Sequence, residues 1–289
     1  SDWRPRGRGS VASLRDMAPF SVSLMLTDLI STFYMKLPQF FLGKLYPTAT
    51  LGAFDQAVKL KDMPVTAATQ SVQSVTFPAL SEVRGDAPKF AESYRQVVLI
   101  TAYVMFPAML GLSAVAHDLF ALLLSEKWMP TVPYFEVVCL AGLFYPVGMI
   151  CYNVLKVMSR GPLIVRLEVV KKLLMTVVFA VTIPHSVMAV VWGLVVIAFG
   201  EMAVNFLATR RFTRFTTRRF LRTLLPVALV SGTMYLLVRL TACAVPGHLL
   251  LRLAAQLLVG AAAYVGLSVL FRLEAFGLLC DLMKKQAAR

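Results

Sequence analysis

The chain has 289 residues, of which 58% are hydrophobic and only 15% are charged. Soluble globular domains average about 45–50% apolar and about 25% charged residues, so this composition excludes a soluble globular enzyme. It also excludes a disordered chain, because disorder requires low hydrophobicity. We therefore expect an all-α polytopic membrane protein. The formal net charge of +14 fits either a nucleic-acid-binding surface or a topology signal in the loops of a membrane protein.

Apolar segments of helical length recur along the chain and predict about eight transmembrane helices. The predicted spans are 17–42, 51–80, 97–115, 132–155, 167–183, 187–207, 224–245 and 249–271. The second is the least regular, because four charged residues between Asp55 and Asp62 precede Pro64. A short amphipathic helix that leads into a span after Pro64 is the alternative there.

The basic residues alternate between loops in a way that predicts the orientation of the chain. Of the 29 Lys and Arg residues, 22 fall in the N-terminal segment, three alternate loops and the C-terminal tail, six fall on the other side, and Lys36 lies within the first span. This asymmetry predicts an even number of spans with both ends in the cytoplasm. The run RRFTRFTTRRFLR at 210–222 is interpreted as a topology-fixing cytoplasmic loop, compatible with lipid headgroup contact, rather than as an RNA-binding patch.

Recognised catalytic and nucleotide-binding motifs are absent from the sequence. There is no GxxxxGK[ST] loop for ATP, and neither HExxH nor GxSxG occurs. The four Cys and three His residues have no metal-ligand spacing. We therefore expect no metal, no cofactor and no enzymatic activity.

Polar residues within the spans are the remaining chemical signal, because ionisable groups in a bilayer are costly and often functional. Asp28 lies about 16 Å into the first span, near the bilayer midplane. Thr32 and Lys36 follow at i+4 and i+8, with Gln39 near the same face. These residues predict either a cavity lining, with Asp28 as a proton or cation site and Lys36 as an anion contact, or a structural ion pair.

The second span carries a polar stripe at helical spacing. Its members are Thr66, Gln70, Gln73, Ser74 and Phe77. The stripe predicts either interhelical hydrogen bonding or a hydrated path that offers amides and hydroxyls to a sugar, which we favour because the first two spans are polar together. Weaker candidates near the cytoplasmic ends of later spans are Asn153 with Lys156 and Glu201 with Asn205, whereas Glu168 and Lys172 are expected to form an intrahelical ion pair.

Short motifs in and after the second and third predicted spans follow a known family pattern. Residues 51–60 (LGAFDQAVKL), Pro64 and residues 77–81 (FPALS) match the stretch LGxYxxAxxL…P…FPxLS. Residues 106–112 (FPAMLGL) and 122–128 (LLLSEKW) match the next span of that pattern and its LLGxxW exit. Together these motifs resemble those of the Wzx-type polysaccharide flippases, and within them the WzxC-like exporters. The sequence departs at Phe54, where the family has Tyr, and at Ser125, where it has Gly. The resemblance covers residues 15–210; beyond them only hydropathy agrees.

The resemblance implies a fold of the multidrug/oligosaccharidyl-lipid/polysaccharide (MOP) exporter superfamily, which has two six-helix lobes and often two further helices. The eight predicted spans align with the seventh to the fourteenth, so the N-terminal lobe would be missing, in keeping with a chain that lacks an initiator Met. The implied organisation is a basic cytoplasmic segment (1–16), a six-helix C-terminal lobe (17–208), a basic cytoplasmic loop (209–222), two additional transmembrane helices (223–272) and a cytoplasmic tail (273–289).

The resemblance also implies a function. Family members move undecaprenyl-diphosphate-linked oligosaccharides across the bacterial inner membrane by alternating access, for lipopolysaccharide or exopolysaccharide biosynthesis. The implied partners are this lipid-linked oligosaccharide, membrane lipids, the missing lobe and the polysaccharide polymerase machinery, with no nucleic acid. In a two-lobed exporter of this kind, Asp28, Lys36 and the polar stripe of the second span are expected to face the cleft between the lobes. The alternatives are a cation-coupled multidrug exporter of the MATE type and, from another class, a membrane glycosyltransferase or polymerase.

Overall fold

The computed structural model describes residues 32–34, 36–158, 161–213, 215–245 and 248–279. These residues form helices and connecting loops, and none of them is in a β-strand, so the all-α prediction is confirmed. The chain divides into two compact units, residues 1–45 and 46–289. In the first unit residues 32–34 and 36–45 are helical, and we call this segment α1.

Seven long helices make up most of the described part of the second unit. They are α2 (Thr48–Glu82), α3 (Ala87–Leu123), α4 (Val132–Val157), α5 (Gly161–Thr182), α6 (Val187–Thr209), α7 (Thr217–Ala244) and α8 (Leu249–Leu270). A 3₁₀ helix at Glu126–Thr131 joins α3 to α4, and residues 274–279 are helical again after α8. Each predicted span from the second to the eighth coincides with one of these helices.

Five of the described helical segments are long and apolar enough to cross a membrane. They are Ala87–Leu123, Glu126–Val157, Val187–Thr209, Thr217–Ala244 and Leu249–Leu270. The helices α2 and α5 have sufficient length, at 35 and 22 residues, but charged residues crowd the first half of each. Their assignment as spans stays a prediction.

The helix α3 extends well beyond the predicted third span. It starts at Ala87 because Asp86 caps it: the Asp86 carboxylate accepts a hydrogen bond of 3.1 Å from the backbone N–H of Lys89. This bond also holds the pKa of Asp86 below its usual range. The additional turns bury Phe90 and Tyr94. Polar residues interleaved among these aromatics conceal the extension in a hydropathy pattern.

The helix α2 is continuous through Pro64 and Pro78. The alternative of a separate amphipathic helix before Pro64 is therefore wrong. Each proline removes one backbone donor, but transmembrane helices tolerate this loss where neighbouring helices and hydroxyl side chains compensate.

The helix α4 lies at the centre of the second unit, where it contacts α2, α3, α5 and α6. Its approach to α6 depends on Gly148, since a Cβ at that position would lie 3.1 Å from the Cα of Met202. The backbone oxygen of Gly148 also accepts a hydrogen bond of 3.3 Å from the Asn205 amide. A glycine thus permits close packing of two helix backbones, as small residues do in membrane proteins.

We expect Gly148→Ala to destabilise the protein by about 1–3 kcal/mol, because backbone atoms of α6 have little room to move. The matched control is Gly232→Ala in α7, where an added Cβ meets nothing within 4 Å. This control should stabilise the protein by about 0.5–1 kcal/mol, since alanine is the better helix former. Denaturant titration of the purified variants measures both changes. Equal effects of the two substitutions would contradict the packing argument.

The helices α7 and α8 pack against α3 and against each other. At the end of α7 that lies near the 3₁₀ helix, Arg239 donates to Glu136 of α4 at 2.9 Å. At the opposite end Phe206, Phe215 and Phe220 form a buried aromatic cluster, in which the rings of Phe206 and Phe220 stack with centroids 3.9 Å apart. Two of the phenylalanines in the basic run 210–222 therefore belong to the core and are not available to stack on nucleic-acid bases.

Candidate substrate cavity

An open cavity of ≈ 400 Å³ lies between α2 and α4. Its lining residues are Gln70, Gln73, Ser74 and Phe77 of α2 with Asn153 and Lys156 of α4. We call it the α2–α4 cavity. The fold thus brings four of the five stripe residues together with a pair of weaker candidates more than seventy positions away in the sequence.

The α2 side of the cavity follows from helical periodicity. Residues 70, 73, 74 and 77 are spaced i, i+3, i+4 and i+7, which places them on one face of a helix. Gln70, Ser74 and Phe77 are exposed and Gln73 is half-buried. The Ser74 hydroxyl donates to the Ser71 carbonyl at 2.9 Å, which leaves its lone pairs for an additional partner. Thr66, the remaining stripe residue, is exposed but does not line the cavity.

The α4 side provides one buried amide and one exposed cation. Asn153 is buried, whereas Lys156, one turn further along, is exposed. The Lys156 ammonium lies 4.6 Å from the centroid of the Tyr152 ring, a cation–π contact that orients the side chain. The cavity therefore offers amides, a hydroxyl, an aromatic face and a single positive charge.

A second, smaller cavity of ≈ 110 Å³ lies between α4, α5 and α6. Its polar lining residues are Tyr145, Tyr152, Glu168, Lys171, Glu201 and Asn205. Tyr152 contacts a lining residue of each cavity, because its ring lies 4.6 Å from the Lys156 ammonium and 4.9 Å from the Lys171 ammonium. The weaker candidates Glu201 and Asn205 thus line the smaller cavity and not the α2–α4 cavity.

The polar groups in this smaller cavity are only partly satisfied. Lys171 is buried and forms an intrahelical ion pair with Glu168 at i+3, while the pair expected between Glu168 and Lys172 at i+4 stays a prediction. The Asn205 amide donates to Gly148, while its carbonyl oxygen is buried without a hydrogen-bond partner. A buried amide oxygen without a hydrogen-bond donor costs free energy.

The remaining candidates of the first predicted span belong to the other unit. Thr32 and Lys36 are exposed on α1, and Gln39 is half-buried there. Asp28 lies outside the described residues. The prediction that these four residues line a cavity stays untested.

Sequence reasoning missed a buried ionic cluster between α3 and α8. The Asp118 carboxylate is 3% exposed and accepts hydrogen bonds from the Arg252 guanidinium at 2.7 Å and from the Gln256 amide at 2.9 Å. Arg252 and Gln256 are one turn apart on α8. The available signal was a lone Asp near the end of an apolar span and an Arg–Gln pair at i, i+4 in another.

Comparison with known proteins gives this geometry a context. Residues 1–133 match a family described as "Polysaccharide biosynthesis protein". The chain is 25% identical to the lipopolysaccharide biosynthesis protein WzxC of Escherichia coli (strain K12) over 146 residues, which is 50% of this chain and 30% of that protein. It is 24% identical over 209 residues to an uncharacterized membrane protein in the cps region of Klebsiella pneumoniae, covering 71% of this chain and 42% of that one.

Two further proteins are similar to this chain. The teichuronic acid biosynthesis protein TuaB of Bacillus subtilis (strain 168) is 22% identical over 141 residues, 49% of this chain and 29% of that protein. The inward closed conformation of the lipid II flippase MurJ superposes with a TM-score of 0.70 at 14% identity, covering 89% of this chain and 55% of MurJ. That likeness concerns the fold. The chain spans less than half the length of these curated relatives, and its similarity to them supports the predicted resemblance to the Wzx-type polysaccharide flippases.

Proposed function

We propose that the protein to which this chain belongs moves polyprenyl-diphosphate-linked oligosaccharides across the bacterial inner membrane by alternating access, in lipopolysaccharide or exopolysaccharide biosynthesis. The observation that carries the proposal is the α2–α4 cavity, where polar side chains from two helices line one opening. The relatives in polysaccharide biosynthesis support it, as does the fold shared with MurJ.

The chemistry of the cavity suits the polar part of such a substrate. The amides of Gln70, Gln73 and Asn153 both donate and accept hydrogen bonds, as sugar hydroxyls require. Phe77 is 45% exposed and offers an apolar face to a sugar ring. Lys156 provides the positive charge that a diphosphate needs, a role that the sequence had suggested for Lys36.

The charge of the cavity favours this substrate over the drug cations of a MATE-type exporter. Its described lining residues include Lys156 and no carboxylate. A cavity that selects a cation would carry an acidic group, because opposite charge stabilises a desolvated ion. The only acidic residue proposed for that role, Asp28, lies outside the described residues.

The proposed organisation of the chain follows from its resemblance to the two-lobed exporters. Residues 17–208 form one lobe of the transporter and residues 223–272 two additional helices, with the basic segments 1–16, 209–222 and 273–289 in the cytoplasm. The α2–α4 cavity would then face a second lobe contributed by the remainder of a longer protein. We expect residues 1–289 alone not to transport, since half of the cleft would be missing.

A reconstitution experiment tests the proposed function. The full-length protein is placed in liposomes with a fluorescent polyprenyl-diphosphate oligosaccharide, and its movement between leaflets is followed with an impermeant quencher. We expect movement above that of protein-free liposomes, and no uptake of a drug cation such as ethidium. Uptake of the cation without movement of the lipid would contradict the proposal and favour the exporter.

A further inference from the structure

A cavity of ≈ 270 Å³ outside the substrate region collects arginine side chains at one end of the molecule. It lies between α3, α7 and residues 273–275, and Arg95, Arg219 and Arg222 line it together with Glu274. We call it the arginine cavity. It is at the opposite end of α3 and α8 from the Asp118 cluster, beside the basic run 210–222.

Two of the three arginines are available to a ligand. Arg95 is occupied by carboxylates, since its Nη1 donates to Glu274 at 2.8 Å and its Nε donates to Glu92 at 3.0 Å. Arg219 and Arg222 lie one turn apart on α7 and are exposed. The lining carries three arginines and the carboxylate of Glu274, and Glu92 adds a second carboxylate on Arg95. Three positive charges thus face two negative ones, which leaves one positive charge to attract an anion.

The other wall of the cavity is apolar. It consists of Leu99, Pro226, Val227 and Leu273. Along α7, Leu225 and Leu229 follow Arg222 at i+3 and i+7, on the same face of the helix, and are 58% and 63% exposed. A free hydrated anion makes no favourable contact with an apolar wall. A lipid carries both a phosphate, which can bind the arginines, and hydrocarbon chains, which can pack against the apolar residues.

The position of the arginines along α7 fits the level of lipid headgroups. The 28 residues of α7 span about 42 Å, which exceeds a hydrocarbon core of about 30 Å. Arg219 and Arg222 lie within its first two turns, where the helix emerges from the core, and the exposed Leu225 and Leu229 lie deeper. Basic pockets between transmembrane helices on the cytoplasmic side bind anionic lipid headgroups in other membrane proteins.

We propose that the arginine cavity binds the phosphate of an anionic phospholipid, with its acyl chains along Leu225 and Leu229. The bound lipid bridges α3 and α7 at the end where the basic loops gather. The site is separate from the α2–α4 cavity, so it holds whether or not the protein moves lipid-linked sugars.

Native mass spectrometry of the purified full chain in detergent tests this site. Binding of phosphatidylglycerol, phosphatidylcholine and inorganic phosphate is titrated for the wild type, for R219Q/R222Q and for the control R211Q/R218Q. The control removes the same charge from exposed residues of the same basic region that do not line the cavity. We expect phosphatidylglycerol to bind at least about tenfold more weakly to R219Q/R222Q, with less than about twofold change in the control.

Three results would overturn the proposal. An equal loss of phosphatidylglycerol binding in both double variants would mean that basic charge attracts the lipid diffusely and that the lipid does not bind in the cavity. If the wild type binds phosphatidylcholine as tightly as phosphatidylglycerol, the site does not recognise the negative charge of the headgroup. Displacement of phosphatidylglycerol by equimolar inorganic phosphate means that the apolar wall contributes nothing. Melting temperatures without added lipid verify that both variants are folded, since all four substituted residues are exposed.

Discussion

Asp118→Leu should lower the free energy of unfolding by about 3 kcal/mol, because it leaves a largely buried guanidinium and a buried amide without their acceptor. Asp118 is 3% exposed and Gln256 is 1% exposed, while the Arg252 side chain is 26% exposed. The Gln256 carbonyl oxygen has no hydrogen-bond partner even in the intact cluster. Titration with sodium dodecyl sulfate of the protein in detergent micelles measures the change.

Two controls distinguish loss of the buried cluster from a general effect of charge removal. Glu136→Gln breaks the ion pair between Glu136, whose side chain is 26% exposed, and Arg239, whose side chain is 42% exposed. This substitution should change the free energy of unfolding by no more than about 1 kcal/mol. The triple variant D118L/R252M/Q256L replaces the cluster by apolar groups and should recover most of the loss. A D118L protein no less stable than E136Q would contradict the argument that the buried Asp118 cluster stabilises the contact between α3 and α8.

Lys156→Gln in the full-length protein should slow movement of the lipid-linked oligosaccharide by about 10–100-fold, because a hydrogen bond to a charged group contributes about 1.5–3 kcal/mol. Lys156 is the sole cation among the residues that line the α2–α4 cavity. Lys156→Arg keeps the charge and should retain part of the rate. The leaflet-movement assay with the fluorescent lipid measures each variant.

The matched control for Lys156 is Lys127→Gln. Lys127 is an exposed lysine on the 3₁₀ helix and does not line the α2–α4 cavity. Its substitution should leave the rate within about twofold of the wild type, since surface charges contribute little. A K156Q rate equal to that of K127Q would remove the diphosphate role proposed for Lys156.

The helices were predictable because each depends on a local pattern, whereas the cavity depends on tertiary packing. Hydropathy located α2 to α8, and the periodicity of Gln70, Gln73 and Ser74 identified one face of α2. Nothing local joins that face to Asn153 and Lys156, which reach it only because α4 packs beside α2. For the same reason the sequence does not reveal the partners of Asp118, which lie on α8, more than 130 positions further along the chain.

Packing also adds contacts that a local pattern does not show. Spacing allowed Glu168 to pair with a lysine at i+3 or i+4, and the structure shows the pair with Lys171, which also lies over the Tyr152 ring in the small cavity between α4, α5 and α6. Likewise nothing in the basic run shows that Phe215 and Phe220 pack against Phe206 in the core.

Photo-crosslinking is the most direct test of the claim that the α2–α4 cavity contacts the transported saccharide. Benzoylphenylalanine replaces Phe77, which lines the cavity, or Phe199 of α6, which is 53% exposed and does not line it. Irradiation of the full-length protein with the lipid-linked oligosaccharide should give a saccharide-bearing adduct at position 77 and none at position 199. Labelling that is equal at the two positions, or present only at position 199, would contradict the account.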